Sequence, residues 1–257
     1  MENLELNVMN MYYDILNMYG DIGNFTCISE RIKRRGIGLN IQECTIGKDD
    51  GFSWEDIDII LIGGGSDSNQ SVVSNHLVQQ RNELVEFIDS GGVVLAICGS
   101  YQMFGNKYVD VDGNDIPCLE VFDIETQSKP NRLIGNIVIH NAIPDSGNVI
   151  NNDFDFKLDN IVGFENHGGR TYHDYDPLGY VEAGFGNNGE DKKEGMVYKN
   201  FLASYLHGPL LPKNPHIADY MIYSALKRKY SSAELEDLND SIELKAHNRM
   251  LKRIIEK

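Results

Sequence analysis

Val93-Val94-Leu95-Ala96-Ile97-Cys98-Gly99-Ser100-Tyr101-Gln102 is the stretch on which the fold turns. Its first five residues are an unbroken apolar run, too short for a helix, which predicts a strand buried on both faces of a parallel sheet. The run passes without a spacer into a cysteine and then a glycine, and a helix is predicted to begin there. Strand, sharp turn and helix make a nucleophile elbow, which lifts a side chain to the carboxyl edge of the sheet, where clefts form. A helix N-terminus there would lower the thiol pKa, and the N–H of Gly99 would help hold an oxyanion. The bland alternative is a small buried thiol at a strand end, a common fate for free cysteine. The elbow context argues against it.

Upstream of the elbow the same alternation recurs. Leu4 to Met11 reads as a strand, followed by the loop Tyr19-Gly20-Asp21 and a helix from Ile22 to Arg35 that stops near Gly36. Ile37 to Cys44 reads as a second strand. Ile57 to Ile62 is a short buried strand ending in Gly63-Gly64-Gly65, and a helix is expected from Gln70 to Ser90, with Leu77, Leu84, Phe87 and Ile88 on one face and Gly91-Gly92 as its cap. Strand and helix in alternation predict an α/β fold, a mostly parallel central sheet with helices on both faces. The triple glycine would stand at the same sheet edge as Cys98, where the amides of Gly64 or Gly65 could complete an oxyanion hole. It lacks the Gly-Lys-Ser/Thr ending of a P-loop.

Past Lys107 the pattern changes. Short strand-like runs at Cys118 to Ile124, Leu133 to Ile139, Ile161 to Glu165 and Phe201 to Leu206 predict a mixed or antiparallel insertion. Asn187 to Glu194 reads as a polar loop, and Asn214 to Lys229 as a helix. Ser232 to Lys257 is charged, with Leu235, Leu238, Ile242 and Leu244 interspersed, and is predicted to be a helical tail on the surface. The expected division is one catalytic α/β domain over residues 1–230 and a helical C-terminal tail over 231–257.

The 257 residues are 41% apolar, enough for a real core, and carry a net charge of −16 that makes nucleic acid and anionic membrane poor partners. No run reaches the length of a spanning helix, and residues Met1 to Asn10 do not resemble a signal peptide, so the cytoplasm is the expected compartment. Of four cysteines (Cys27, Cys44, Cys98, Cys118) none stands in CxxC spacing, which predicts neither a zinc site nor a disulfide frame. A thiol nucleophile needs a base. Among seven histidines, His207 ranks first, because it follows the strand-like Phe201 to Leu206 directly and is followed by Gly208-Pro209. His167, in Gly163-Phe164-Glu165-Asn166-His167-Gly168-Gly169-Arg170, ranks second. A lone histidine is as often structural.

The elbow Cys98-Gly99-Ser100-Tyr101-Gln102, the preceding triple glycine and a distal His207 resemble class I glutamine amidotransferases, whose usual core is Cys-x-Gly-x-Gln with a later histidine. Glu165-Asn166-His167-Gly168-Gly169 stands where the cobyric-acid-synthase-like branch carries Glu-x-His-x-Gly. The runs Tyr19-Gly20-Asp21-Ile22-Gly23-Asn24, Ile62-Gly63-Gly64-Gly65-Ser66-Asp67, Phe164 to Asp174 and Tyr205 to Pro209 narrow the resemblance to the glutaminase subunits of that branch that serve peptidoglycan amidation. It covers residues from about 12 to 230; Ser100 departs from the glycine usual there.

The resemblance implies a flavodoxin-like amidotransferase fold, Cys98 as nucleophile, His207 as base, and Arg132 and Gln102 as glutamine-positioning residues. The bland readings are a solvated loop arginine and a helix glutamine packed under the elbow. It implies no cofactor or metal on this chain, with ATP and Mg²⁺ on a MurT-like Mur-ligase-family partner in a heterodimer. That partner would use the ammonia to amidate the D-glutamate of lipid II, so this chain would meet lipid II only through it. The acid that usually lies two residues past the histidine is missing, since Pro209 stands there. Glu165, or an acid from the partner, is left to orient the imidazole, and the partner is favoured because it would couple hydrolysis to a docked recipient. Competing readings keep the fold but change the role: a cysteine peptidase, an inert binding module, or a glutaminase with another acceptor such as a corrinoid.

Overall fold

The computed structural model describes residues 4–47, 51–144, 158–230 and 234–256. The chain opens with β1 (Glu5–Met11), α1 (Ile22–Arg34), β2 (Gly38–Cys44) and β3 (Ile59–Ile62). The long helix expected before the elbow is two, α2 (Asp67–Leu77) and α3 (Arg81–Asp89), separated by a 3₁₀ turn at Val78–Gln80. The Ser66 side chain caps α2 by accepting from Asn69 N–H. At the end of α3, Gly91 takes φ = +84° and the Gly92 amide reaches back to Phe87 O, the bond that closes a helix C-terminus. β4 (Val93–Ile97), every residue of it buried, then leads into α4 (Gly99–Met103).

The second half supplies β5 (Lys107–Val109), β6 (Glu125–Asn141), β7 (Asn160–Tyr172), β8 (Gly179–Ala183), β9 (Lys193–Glu194), β10 (Met196–Tyr198), β11 (Phe201–Ser204), β12 (Leu206–His207), α5 (Pro215–Lys229) and α6 (Ser241–Ile255). The central sheet has the order β10-β11-β4-β3-β1-β2, parallel throughout except for β10. β1 and β3 are neighbours although the chain leaves β1 toward β2. The sheet therefore has a topological switch point, the position at which open α/β sheets bind their ligands. The expected α/β fold with a mostly parallel sheet is what forms.

A second sheet, β12-β7-β6-β8-β9 with β5 beside β6, is the insertion expected after Lys107. Two of the runs assigned to it differ from expectation. Cys118 to Ile124 forms no strand: the amides of Leu119, Glu120, Val121 and Phe122 donate to the carbonyls of Met103, Phe104 and Gly105 at the end of α4. Phe201 to Leu206 is not one strand but two, split between the sheets. The Ser204 hydroxyl and Tyr205 amide both donate to the buried Glu194 carboxylate, at 2.7 and 2.8 Å, and Leu206 N–H donates to Ser204 Oγ. These bonds turn the chain out of β11 and into β12. Asn187 to Glu194 is thus more than a polar loop: Asn187, Asn188 and Glu194 are buried, and the last holds the crossing.

The C-terminal helix forms on the surface as expected, and ion pairs clamp it to the body. Arg31 on α1 makes two-pronged pairs with Asp219 of α5 and with Asp240 just before α6, at 2.6–2.7 Å, all three side chains buried. Arg35 adds a bond to Asp219, and Arg34 reaches Glu243. Residues 231–233 and 257 of the predicted tail lie outside the described residues.

Candidate active site

Four strand ends of the central sheet open onto one edge. Asp21 follows β1, Gly63-Gly64-Gly65 follows β3, Cys98 follows β4, and His207 follows β11 across the Glu194 turn. Cys98 is the elbow residue, with φ = +53° and ψ = −101°, a left-handed backbone that a side chain adopts only when its surroundings impose it. They do so here: Cys98 N–H donates to Ser204 O at 2.8 Å, its carbonyl accepts from Gln102 N–H, and Ser100 Oγ lies 3.0 Å from the carbonyls of Ile62 and Ile97.

The side chains converge on Gly64. A Cβ placed on that glycine would stand 3.0 Å from His207 Cε1, 3.2 Å from Cys98 Cβ and 3.3 Å from Asp21 Oδ2. Cysteine, histidine and aspartate thus surround one position where any Cβ would crowd all three. His207 is fully buried. Its Nδ1 faces Asp21 Oδ1 at 3.4 Å, its Nε2 has no hydrogen-bond partner, and its carbonyl accepts from Lys213 Nζ. Burial alone would lower its pKa, but the adjoining Cys98 sulfur and the Asp21 carboxylate outweigh burial and raise it. Tyr19 packs edge-on against the imidazole, ring centres 4.9 Å apart.

The other thiols are differently placed. Cys44 is fully buried in the core; burial pushes Cys27 up to about 12 and Cys118 up to about 11. Of the four, Cys98 is the one that lines the cleft, a space of about 460 Å³ also walled by Tyr19, Gly65, Asp67, Arg132 and His167.

Arg132 reaches this cleft through a defect in the second sheet. The β6–β7 register slips between Ser128 and Leu133, at Lys129-Pro130-Asn131-Arg132, where Pro130 has no amide to offer the ladder. The guanidinium bonds Asn166, Nε to Oδ1 at 2.8 Å and Nη2 to the carbonyl at 2.6 Å, and Asn166 in turn donates to Tyr19 OH. Gln102 lines the cleft, but both ends of its amide are engaged: Oε1 accepts from Gln70, and Nε2 donates to Tyr205 OH.

Three sequence expectations are corrected by this geometry. Glu165 does not orient His207. Its two oxygens accept from the amides of Phe185 and Gly186, which fasten β7 to the turn after β8. The acid beside His207 Nδ1 is Asp21, a residue of this chain, at 3.4 Å. The Gly64 amide is not available for an oxyanion, because it donates to Asp21 Oδ2 at 2.8 Å. His167, the second-ranked base, lies flat on Tyr205 with ring centres 3.7 Å apart, and its Nδ1 is held at 2.8 Å by Gly169 O. Burial lowers its pKa. Asp21 carried only a weak sequence signal: it lies in the loop between β1 and α1, which a parallel β1 brings to the same edge, but Asp14 lies in that loop too.

Known proteins resemble this chain along most of its length. Residues 7–215 match the model of the CobB/CobQ-like glutamine amidotransferase domain. The chain is 42% identical, over 97% of its length and 96% of the relative's, to the lipid II isoglutaminyl synthase (glutamine-hydrolyzing) subunit GatD of Staphylococcus aureus. It is 36% identical, over 88% and 82%, to the subunit of the same name from Streptococcus pneumoniae. Among solved structures, a glutamine amidotransferase from Thermotoga maritima shares the fold with a TM-score of 0.50 at 16% identity, covering 98% of this chain and 99% of that one. With a thiol elbow facing a buried histidine at the edge of such a sheet, and a family match over most of its length, the chain belongs to the CobB/CobQ-like glutamine amidotransferases.

Proposed function

We propose that this chain is the glutamine-hydrolysing subunit of a lipid II isoglutaminyl synthase, acting in the cytoplasm through a Cys98–His207–Asp21 relay. The carrying observation is the convergence of those three side chains around Gly64. The Cys98 thiolate attacks the side-chain amide carbon of glutamine, and the amides of Gly65 and Gly99 hold the resulting oxyanion. His207, protonated after taking the thiol proton, returns a proton to the leaving nitrogen, and ammonia departs. The imidazole then activates water, which cleaves the thioester and releases glutamate. Asp21 keeps the Nδ1 proton in place, so that Nε2 does the transfers. Arg132 leaves Asn166 to take the substrate carboxylate, while Gln102 supports the elbow from beneath.

The Staphylococcus subunit matches end to end, whereas a probable cobyric acid synthase from Methanocaldococcus jannaschii, 31% identical, is matched over 34% of its length. Both lipid II relatives are described as glutamine-hydrolyzing subunits, and a subunit of that kind delivers its ammonia to another chain. We assign that role to a MurT-like Mur-ligase-family subunit, which would hold ATP and Mg²⁺ and spend the ammonia on the D-glutamate of lipid II. The test is ammonia release from glutamine by the chain with that partner. Cys98→Ala should abolish it while partner binding survives, and alanine at Cys27, Cys44 or Cys118 should not. Substantial turnover by Cys98→Ala refutes the assignment.

A further inference from the structure

Among the described residues that line the cleft, Asp67 is the one carboxylate. It stands in the first turn of α2, just past the Ser66 cap. Its Oδ1 accepts from Tyr108 OH at 2.8 Å, and the same phenol lies 3.0 Å from Ser128 Oγ. Ser128 is the last paired residue of β6 before the bulge that carries Lys129 and Arg132. A Cβ placed on Gly168 would lie 3.8 Å from Ser128 Oγ and 3.6 Å from Arg132 Nη1. One buried phenol therefore ties the acid to the strand that presents the cations, and opposite charges flank a single patch of the cleft wall above Cys98.

An α-amino acid carries an ammonium and a carboxylate on one carbon. A wall with cations alone would accept any carboxylate attached to an amide. A wall with a fixed acid facing them selects the zwitterion, because each charge-assisted contact is lost when its partner group is missing. We infer that Asp67 takes the α-ammonium of glutamine while Arg132 takes its α-carboxylate, so that the cleft selects a free amino acid over des-amino or peptide-bound amides. This rests on the glutaminase reading above. The competing role for Asp67 is a favourable charge at the N-terminus of α2, which would be indifferent to the ligand's amine.

The experiment titrates the full-length Cys98→Ala chain with L-glutamine and with glutaramate, which has hydrogen in place of the α-amino group. Glutamine should bind tighter by about 10- to 100-fold, the range for a charged hydrogen bond. Adding Asp67→Asn, which keeps an oxygen for Tyr108, should remove that advantage and leave glutaramate binding within about twofold of its former value. Equal weakening of both ligands, weakening of neither, no preference for glutamine with Asp67 in place, or no binding of either at millimolar concentration each overturns the assignment. Ammonia release by the chain with Cys98 intact is measured in parallel. Amine-dependent binding without turnover would sink the glutaminase reading and keep Asp67 in its role. Turnover combined with an equal Asp67→Asn effect on both amides would do the reverse.

Discussion

At the scale of single residues, the site is defined by who bonds whom. Asp21 serves two masters at once: Oδ2 holds the Gly64 amide at 2.8 Å and Oδ1 faces His207 at 3.4 Å. Changing it to asparagine keeps the shape but offers His207 an amide that can trap the wrong tautomer. In a well-studied triad, the corresponding change costs about 10⁴ in kcat. Here, with the longer contact, a fall of about 10²- to 10³-fold in kcat is expected, with KM for glutamine little changed. Full activity of Asp21→Asn in the complex would show that the partner supplies the orienting acid after all. The dyad itself was legible in the sequence because both members follow apolar runs with turn residues behind them. Asp21 was not singled out, because it sits in a loop whose polar residues look alike until the strands are placed side by side. Gly64 was read as a donor toward substrate because a sequence shows that an amide exists but not which acceptor it faces.

At the scale of elements, the parallel half was readable and the second sheet only in part: Leu133 to Ile139 and Ile161 to Glu165 fall inside β6 and β7, but the extent and pairing of those strands were not legible. Buried runs such as Ile59–Ile62 and Val93–Ile97 announce themselves by composition. β6 is long and largely exposed, β7 is long and largely buried, and their pairing is broken by the Pro130 bulge, so neither strand shows one clean alternation. The crossing from β11 to β12 was invisible for another reason: it is set by Glu194, distant from it in the fold's logic and embedded in a run of polar residues. That carboxyl is fully buried, and burial pushes its pKa up to about 8, against the pull of Ser204 and the Tyr205 amide. The folded state thus binds this proton more tightly than the unfolded chain does. The stabilisation is complete below the ordinary carboxyl range and is lost as pH rises through about 8. Thermal unfolding should accordingly weaken between pH 6 and pH 9 by on the order of 1–2 kcal/mol. In Glu194→Gln, which cannot ionise, that slope should flatten. An unchanged slope would place the titrating group elsewhere.

At the scale of the whole molecule, the C-terminal segment is part of the body. The helix expected on the surface forms there; its anchoring was not legible, because the acids that hold it pair with arginines over 180 residues away in sequence. Asp240→Asn should strand part of the buried Arg31 charge and cost about 2–4 kcal/mol in urea unfolding. A loss under about 0.5 kcal/mol would mean that Asp219 alone satisfies the guanidinium. The described helices include none long and apolar enough to cross a membrane.

One further consequence follows from the neighbouring positions of β4 and β11. Cys98 leaves the first of these strands, and His207 comes three residues after the end of the second. The two are stitched together by parallel pairing from Val94–Phe201 to Ile97–Ser204 and by the bond from Cys98 N–H to Ser204 O. The gap between sulfur and imidazole is therefore set by that pairing together with the Glu194-held turn from Ser204 to Leu206 that carries His207 out of β11. In such a centre chemistry and architecture share one ruler. Substitutions deep in the core, at positions such as Leu95 or Leu202 that never touch glutamine, would be recorded by selection as catalytic lesions.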